Sequence, residues 1–168
     1  MPFFRTTILA TLLLTISGVA WGKDSLLDRE KARKPVAQEQ PFLGPKSGSL
    51  RYDPRMIRAV QIAKQRAKPR MTWQCWRAVK DALLAAKVVE VRPKSAWAKQ
   101  AGDELCRNYG FKKLRTRNPY AAPVGAVIVY GGNDAGHVEL RMKDGFVSDF
   151  ISRTPYPRPL VGIYVKPS

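Results

Sequence analysis

The sequence is poor in the residues that build most reactive centres, with one histidine and two cysteines in 168 residues. Cys75, Cys106 and His137 do not follow zinc-ligand spacing, so no metal or other cofactor is expected. The cysteines do not form a Cys-x-x-Cys pair, which argues against thiol–disulfide exchange. A glycine-rich phosphate loop leading into a helix is absent, and so is a Gly-x-Ser-x-Gly elbow, which argues against nucleotide-loop and serine-hydrolase chemistry of those types. The longest apolar run, residues 8–16, falls short of the roughly 20 residues that a membrane span needs. No internal repeat is present.

Acidic residues are also scarce. Thirty Lys and Arg stand against thirteen Asp and Glu, a net charge of +17. Such a surface attracts anionic polymers at long range. Nucleic acid is one such polymer, because Lys and Arg alone supply non-specific affinity. The sequence carries no RNA-recognition or helix-turn-helix signature, so nucleic acid is not expected as the partner. Anionic polymers of the cell envelope are.

Residues 1–22 have the layout of a secretory signal. Arg5 precedes an apolar core, and Ala20-Trp21-Gly22 supplies a small-x-small cleavage site. No cysteine lies near that site to take a lipid. The mature chain is therefore expected in the periplasm or outside the cell, with no stable membrane insertion. Residues 23–52 carry Pro35, Pro41, Pro45, Gly44 and Gly48 among scattered charges, with no sustained period, and read as a flexible leader. Residues 53–168 are the folded domain, about 115 residues and long enough for a core of their own.

Within that domain, helical patterns come first. Asp53-Pro54 starts a helix whose apolar stripe is Met56, Ile57, Val60 and Ala63 or Ala67 and which ends before Pro69. In TWQCWRAVKDAL, Thr72 is read as the N-cap, and Trp76, Val79, Leu83 and Ala86 recur at helical spacing. Cys75 then sits in the first turn, where the positive end of the helix dipole favours a thiolate. A further helix opens near Ser95, carries Trp97, Ala101, Leu105 and Cys106, and stops at Gly110. Trp73, Trp76 and Trp97 are read as packing residues, not as the walls of a groove.

The segment VGAVIVYGGNDAGHVELRMKDGFVSDF, residues 124–150, reads as three strands joined by two turns. In residues 137–142, Val138, Leu140 and Met142 share one face, and His137, Glu139 and Arg141 share the other. A two-residue Asp144-Gly145 loop would set Asp149 opposite Leu140. A three-residue loop with Gly145 left-handed pairs Glu139 with Asp149 and gathers Phe146 and Phe150 with Val138, Leu140 and Met142. The second register is expected, because it keeps a carboxylate off the apolar face. Residues 160–165 form a last strand. Helices followed by an antiparallel sheet make an α+β domain.

The two cysteines admit two readings. In an oxidising compartment, a Cys75–Cys106 disulfide satisfies an even count. Alternatively Cys75 is a nucleophile activated by the single histidine, His137, with an acid on the same face to hold the imidazole. Cys106 is the poorer nucleophile candidate, since it lies near the negative end of its helix.

The order of cysteine at a helix start, histidine opening a strand and polar residue on the next strand resembles the papain-like cell-wall peptidases of the NlpC and CHAP families. The similar pieces are TWQCWRAVKDAL, PVGAVIVYGGNDAGHVEL and FVSDF, and the resemblance spans residues 72–165. It implies a papain-like fold with Cys75 as nucleophile, His137 as general base and Asp149 as orienting residue, Glu139 being the competing acid. It also implies cleavage of an amide bond in peptidoglycan through an acyl-enzyme. No tyrosine stands just before Cys75, where many NlpC members place one, so the resemblance assigns no oxyanion donor beyond the backbone. The alternative is a non-catalytic envelope-binding protein of the same fold with the two cysteines joined.

Overall fold

The computed structural model describes residues 51–168, so the expected signal peptide and nearly all of the leader lie outside the described residues. Arg51 and Tyr52, assigned above to the leader, are part of the folded unit. The Ser168 N–H donates to the Arg51 carbonyl at 3.0 Å, the Asp53 N–H donates to the Lys166 carbonyl at 2.8 Å, and Tyr52 bridges Pro167.

Helix α1 spans Arg55–Arg66 and buries Met56, Ala59, Val60 and Ala63. Asp53 anchors its start by accepting from the Arg55 N–H at 2.9 Å. Helix α2, Cys75–Ala85, begins later than a Thr72 cap would place it, and its N-cap is Gln74. Trp76, Val79, Ala82 and Leu83 make its buried stripe, as the period requires. Full burial of a side chain such as Leu83 stabilises the fold by about 1.5–3 kcal/mol. A 3₁₀ turn, Ala98–Gln100, leads into helix α3, Ala101–Tyr109, which stops at left-handed Gly110 as expected.

The strands are β1 (Lys112–Lys113), β2 (Val127–Tyr130), β3 (His137–Met142), β4 (Gly145–Val147), β5 (Ile151–Ser152) and β6 (Leu160–Val165). They form one antiparallel sheet in the order β1-β6-β2-β3-β4-β5. The result is the α+β architecture expected from the sequence, helices packed on an antiparallel sheet, with three α-helices and six strands among the described residues. No described helix is long and apolar enough to cross a membrane.

Both faces of the sheet are covered. Val127, Val129, Val138, Leu140, Met142 and Val147 join the helices in the main core. Ile128, Tyr130, Phe146 and Ile163 form a second cluster, packed with Ala122, Ala126, Tyr156 and Leu160. This two-sided burial explains why β2 is an unbroken apolar run; β3 is buried as well, and the polar half of its alternation is the buried pair His137 and Glu139.

The β3–β4 hairpin takes neither of the two registers considered above. Met142 pairs with Gly145, Arg141 with Phe146 and Leu140 with Val147, so the loop is Lys143-Asp144. Gly145 belongs to the strand, not to the turn. Its φ is +146°, and a Cβ there would lie 2.3 Å from the Ser152 carbonyl oxygen, so close passage of β5 requires glycine at the strand's first position. Phe146 therefore packs in the second cluster, away from Val138, Leu140 and Met142. Continuing the offset brings Ser148, not Asp149, level with Glu139.

Candidate active site

Strand β3 brings His137 to the end of the sheet, and α2 brings Cys75 to its own first residue. Gly131 to Gly136 make the turn between β2 and β3. Gly136, at φ +75°, is wedged so closely that a Cβ would lie 2.4 Å from the Tyr130 carbonyl oxygen and 2.8 Å from the Lys99 side chain. Only glycine fits immediately before His137, and the same turn is pinned by the Lys99 N–H donating to the Ala135 carbonyl at 3.0 Å.

Cys75 and Glu139 are the groups that act on the His137 ring, whose Nε2 is buried without a hydrogen bond of normal geometry. His137 Nε2 stands 3.4 Å from Glu139 Oε2, and both side chains are almost fully buried. Cys75 is partly exposed. Burial opposes a charge on the imidazole, but hydrogen bonding and negative charge from Cys75 and Glu139 outweigh it and raise the His137 pKa to about 9. The geometry suits a cysteine–histidine pair with a carboxylate behind the ring.

That carboxylate is Glu139. Tyr130, paired with His137 across the β2–β3 ladder, donates its hydroxyl to Glu139 Oε1 at 2.7 Å. Burial and the adjacent Glu139 charge push the Tyr130 phenol far up, so it remains a donor. Tyr156 covers the imidazole, with ring centroids 3.9 Å apart and planes 20° apart. Its loop is tethered to the β2–β3 turn by the Arg158–Asp134 ion pair and by the Gly131 N–H donating to the Pro159 carbonyl at 2.8 Å.

Asp149, expected as the orienting acid, is engaged elsewhere. Its Oδ2 accepts from the Thr72 N–H at 2.7 Å, the Thr72 hydroxyl at 2.8 Å and the Gln74 N–H at 3.1 Å. Its Oδ1 accepts from the Ser148 hydroxyl at 3.0 Å. Burial works against its charge, yet these bonds hold the carboxyl below its ordinary pKa. The expected register avoided burying this carboxylate, but four hydrogen bonds compensate for the burial. Asp149 thus organises the loop that delivers Cys75.

Cys75 and Cys106 are both free thiols, so the expected alternative of a Cys75–Cys106 disulfide is not formed. Burial and the Asp103 charge push the Cys106 thiol up, which disfavours its thiolate, although Lys113 partly offsets this. Among the described residues, no group of His, Cys, Asp and Glu is arranged to hold a metal ion. Of the tryptophans, Trp76 is buried as expected and donates its indole N–H to Ser95 Oγ at 2.9 Å, whereas Trp73 and Trp97 are exposed.

Neither a protein-family model nor a curated protein matches this chain. A solved structure does, the type VI effector–immunity complex Tae3–Tai3 from Ralstonia pickettii. The matched chain is 22% identical, with a TM-score of 0.56 over 67% of this chain and 98% of that one. The two share a fold. At that identity the likeness carries the architecture alone, and the chemistry rests on the side chains described above.

Proposed function

We propose that the protein is an exported cysteine hydrolase that cleaves an amide bond of peptidoglycan. The observation that carries this reading is the Cys75–His137 pair, a partly exposed thiol at a helix start beside a buried imidazole backed by Glu139. The fold shared with a chain from a type VI effector–immunity complex, the secretory layout of residues 1–22 and the +17 charge agree with work on an anionic wall outside the cytoplasm.

In the reaction, Cys75 as thiolate attacks the acyl carbon of the amide while His137 holds the proton. The tetrahedral oxyanion faces the start of α2. The Gln74 N–H there is committed to Asp149, so the backbone donor assigned to the oxyanion is the Cys75 N–H. His137 protonates the leaving amine as the C–N bond breaks. Neutral His137 then takes a proton from water, the resulting hydroxide attacks the thioester, and the acid product leaves as the Cys75 thiolate and the His137 imidazolium are restored. Glu139, itself held by Tyr130, orients the imidazole and stabilises its charge, the role that the family resemblance implied for Asp149.

The test is digestion of purified peptidoglycan by the mature chain beside Cys75→Ala and His137→Ala, with mass spectrometry of what is released. Fragments that appear with the wild type alone support the reading, and their masses name the bond. Sacculi that bind the wild type yet remain intact would favour a non-catalytic envelope-binding protein instead.

A further inference from the structure

Trp73 lies two residues before Cys75 and, among the described residues, is the most exposed of the large hydrophobic side chains, at 76%. Its backbone is left-handed, φ 61°. That conformation is unfavourable for any side chain with a Cβ and rare for a bulky one. Neither burial nor local backbone preference therefore accounts for tryptophan at this position. Asp149 fixes the strained loop from both sides of Trp73, through the Thr72 N–H and hydroxyl and the Gln74 N–H. Trp97 is also exposed, but Lys99 lies over its ring, 4.6 Å from the centroid.

We propose that Trp73 is a substrate-contacting, specificity-determining residue, held beside the nucleophile to receive an uncharged C–H face of the substrate next to the scissile acyl group. An indole offers a large, stiff, uncharged surface with few rotamers to freeze on binding. The chain's excess of Lys and Arg attracts the anionic wall without selecting any part of it, whereas a fixed indole selects shape next to the bond being cut. In peptidoglycan the C–H face belongs either to a sugar ring or to an aliphatic side chain of the stem peptide. This inference rests on the proposed peptidoglycan substrate.

The experiment measures binding of the full mature chain carrying Cys75→Ala to two probes, soluble muropeptides with their disaccharide and the same stem peptides freed of sugar. Adding Trp73→Gly is expected to weaken binding about tenfold or more, while Trp73→Phe stays within about threefold. Glycine accepts the left-handed backbone and almost no buried surface is lost, so the Tm of Trp73→Gly is expected to equal or exceed that of its parent. Weakening confined to the disaccharide-bearing probe assigns the sugar face, and weakening with both probes assigns the stem peptide. Unchanged affinity in Trp73→Gly overturns the proposal, as does a loss of affinity accompanied by a lower Tm. Failure of the Cys75→Ala parent to bind either probe, with peptidoglycan left intact by the wild type, overturns the substrate reading and this inference with it.

Discussion

Tyr156 lies flat on His137, with ring centroids 3.9 Å apart and planes 20° apart. The imidazole thus has an aromatic face over it and the Glu139 carboxylate 3.4 Å from Nε2. A phenol ring stacked on a cationic imidazole favours the charged form and restricts rotation of the ring. Tyr156→Phe keeps the ring and is expected to leave activity within about threefold, whereas Tyr156→Ala is expected to lower kcat by about tenfold or more. The same loss should lower the His137 pKa, read by NMR titration of the ring. Titration curves that coincide for wild type and Tyr156→Ala would show that the stack is packing alone.

The two acids near the site should separate by what they disturb. Glu139→Gln removes the charge beside His137 and is expected to lower kcat by about 10² or more, with KM little changed. Asp149→Asn keeps the shape but weakens four bonds that hold the loop before α2. Its expected signature is a loss of about 2 kcal/mol of stability and a smaller fall in kcat than Glu139→Gln. Kinetics and thermal melts of the two variants side by side decide the matter. A larger kcat loss in Asp149→Asn, with stability intact, would return the orienting role to Asp149.

Much of this arrangement was legible in residue patterns. Helical spacing located α1 and α2, Gly110 ended α3, and alternation in residues 137–142 put His137 and Glu139 on one face. The hairpin register was not legible, because it depends on the passage of Ser152 beside Gly145, a contact no local pattern encodes. The misplacement of Asp149 followed from that. A penalty against buried carboxylate holds only where no donors wait, and here Thr72 and Gln74 supply them from 75 or more residues away in sequence. Tyr130 carried a readable signal, since it ends an apolar run two residues after Ile128 and so shares a face with it. Tyr156 carried none, since a proline-flanked loop gives no period from which to place a ring.

The single histidine also makes the protein's pH response assignable. Burial disfavours the charged ring, but bonding and charge from Cys75 and Glu139 prevail, and the folded-state pKa rises from 6.5 to about 9. A group whose pKa is raised on folding binds its proton more tightly in the native state, so it stabilises the fold fully below the unfolded value. The contribution is lost as pH climbs through the folded value. Stability should therefore fall between about pH 6.5 and pH 9, by an amount on the order of 3 kcal/mol for a shift of this size. Denaturant melts across that window check it. Because no other histidine titrates there, the fall should be largely absent in His137→Gln and reduced in Cys75→Ser, which removes one of the two groups that raise the His137 pKa. A pH slope of equal size in His137→Gln would place the linkage in some other group and undo the assignment of a charged His137 to the resting site.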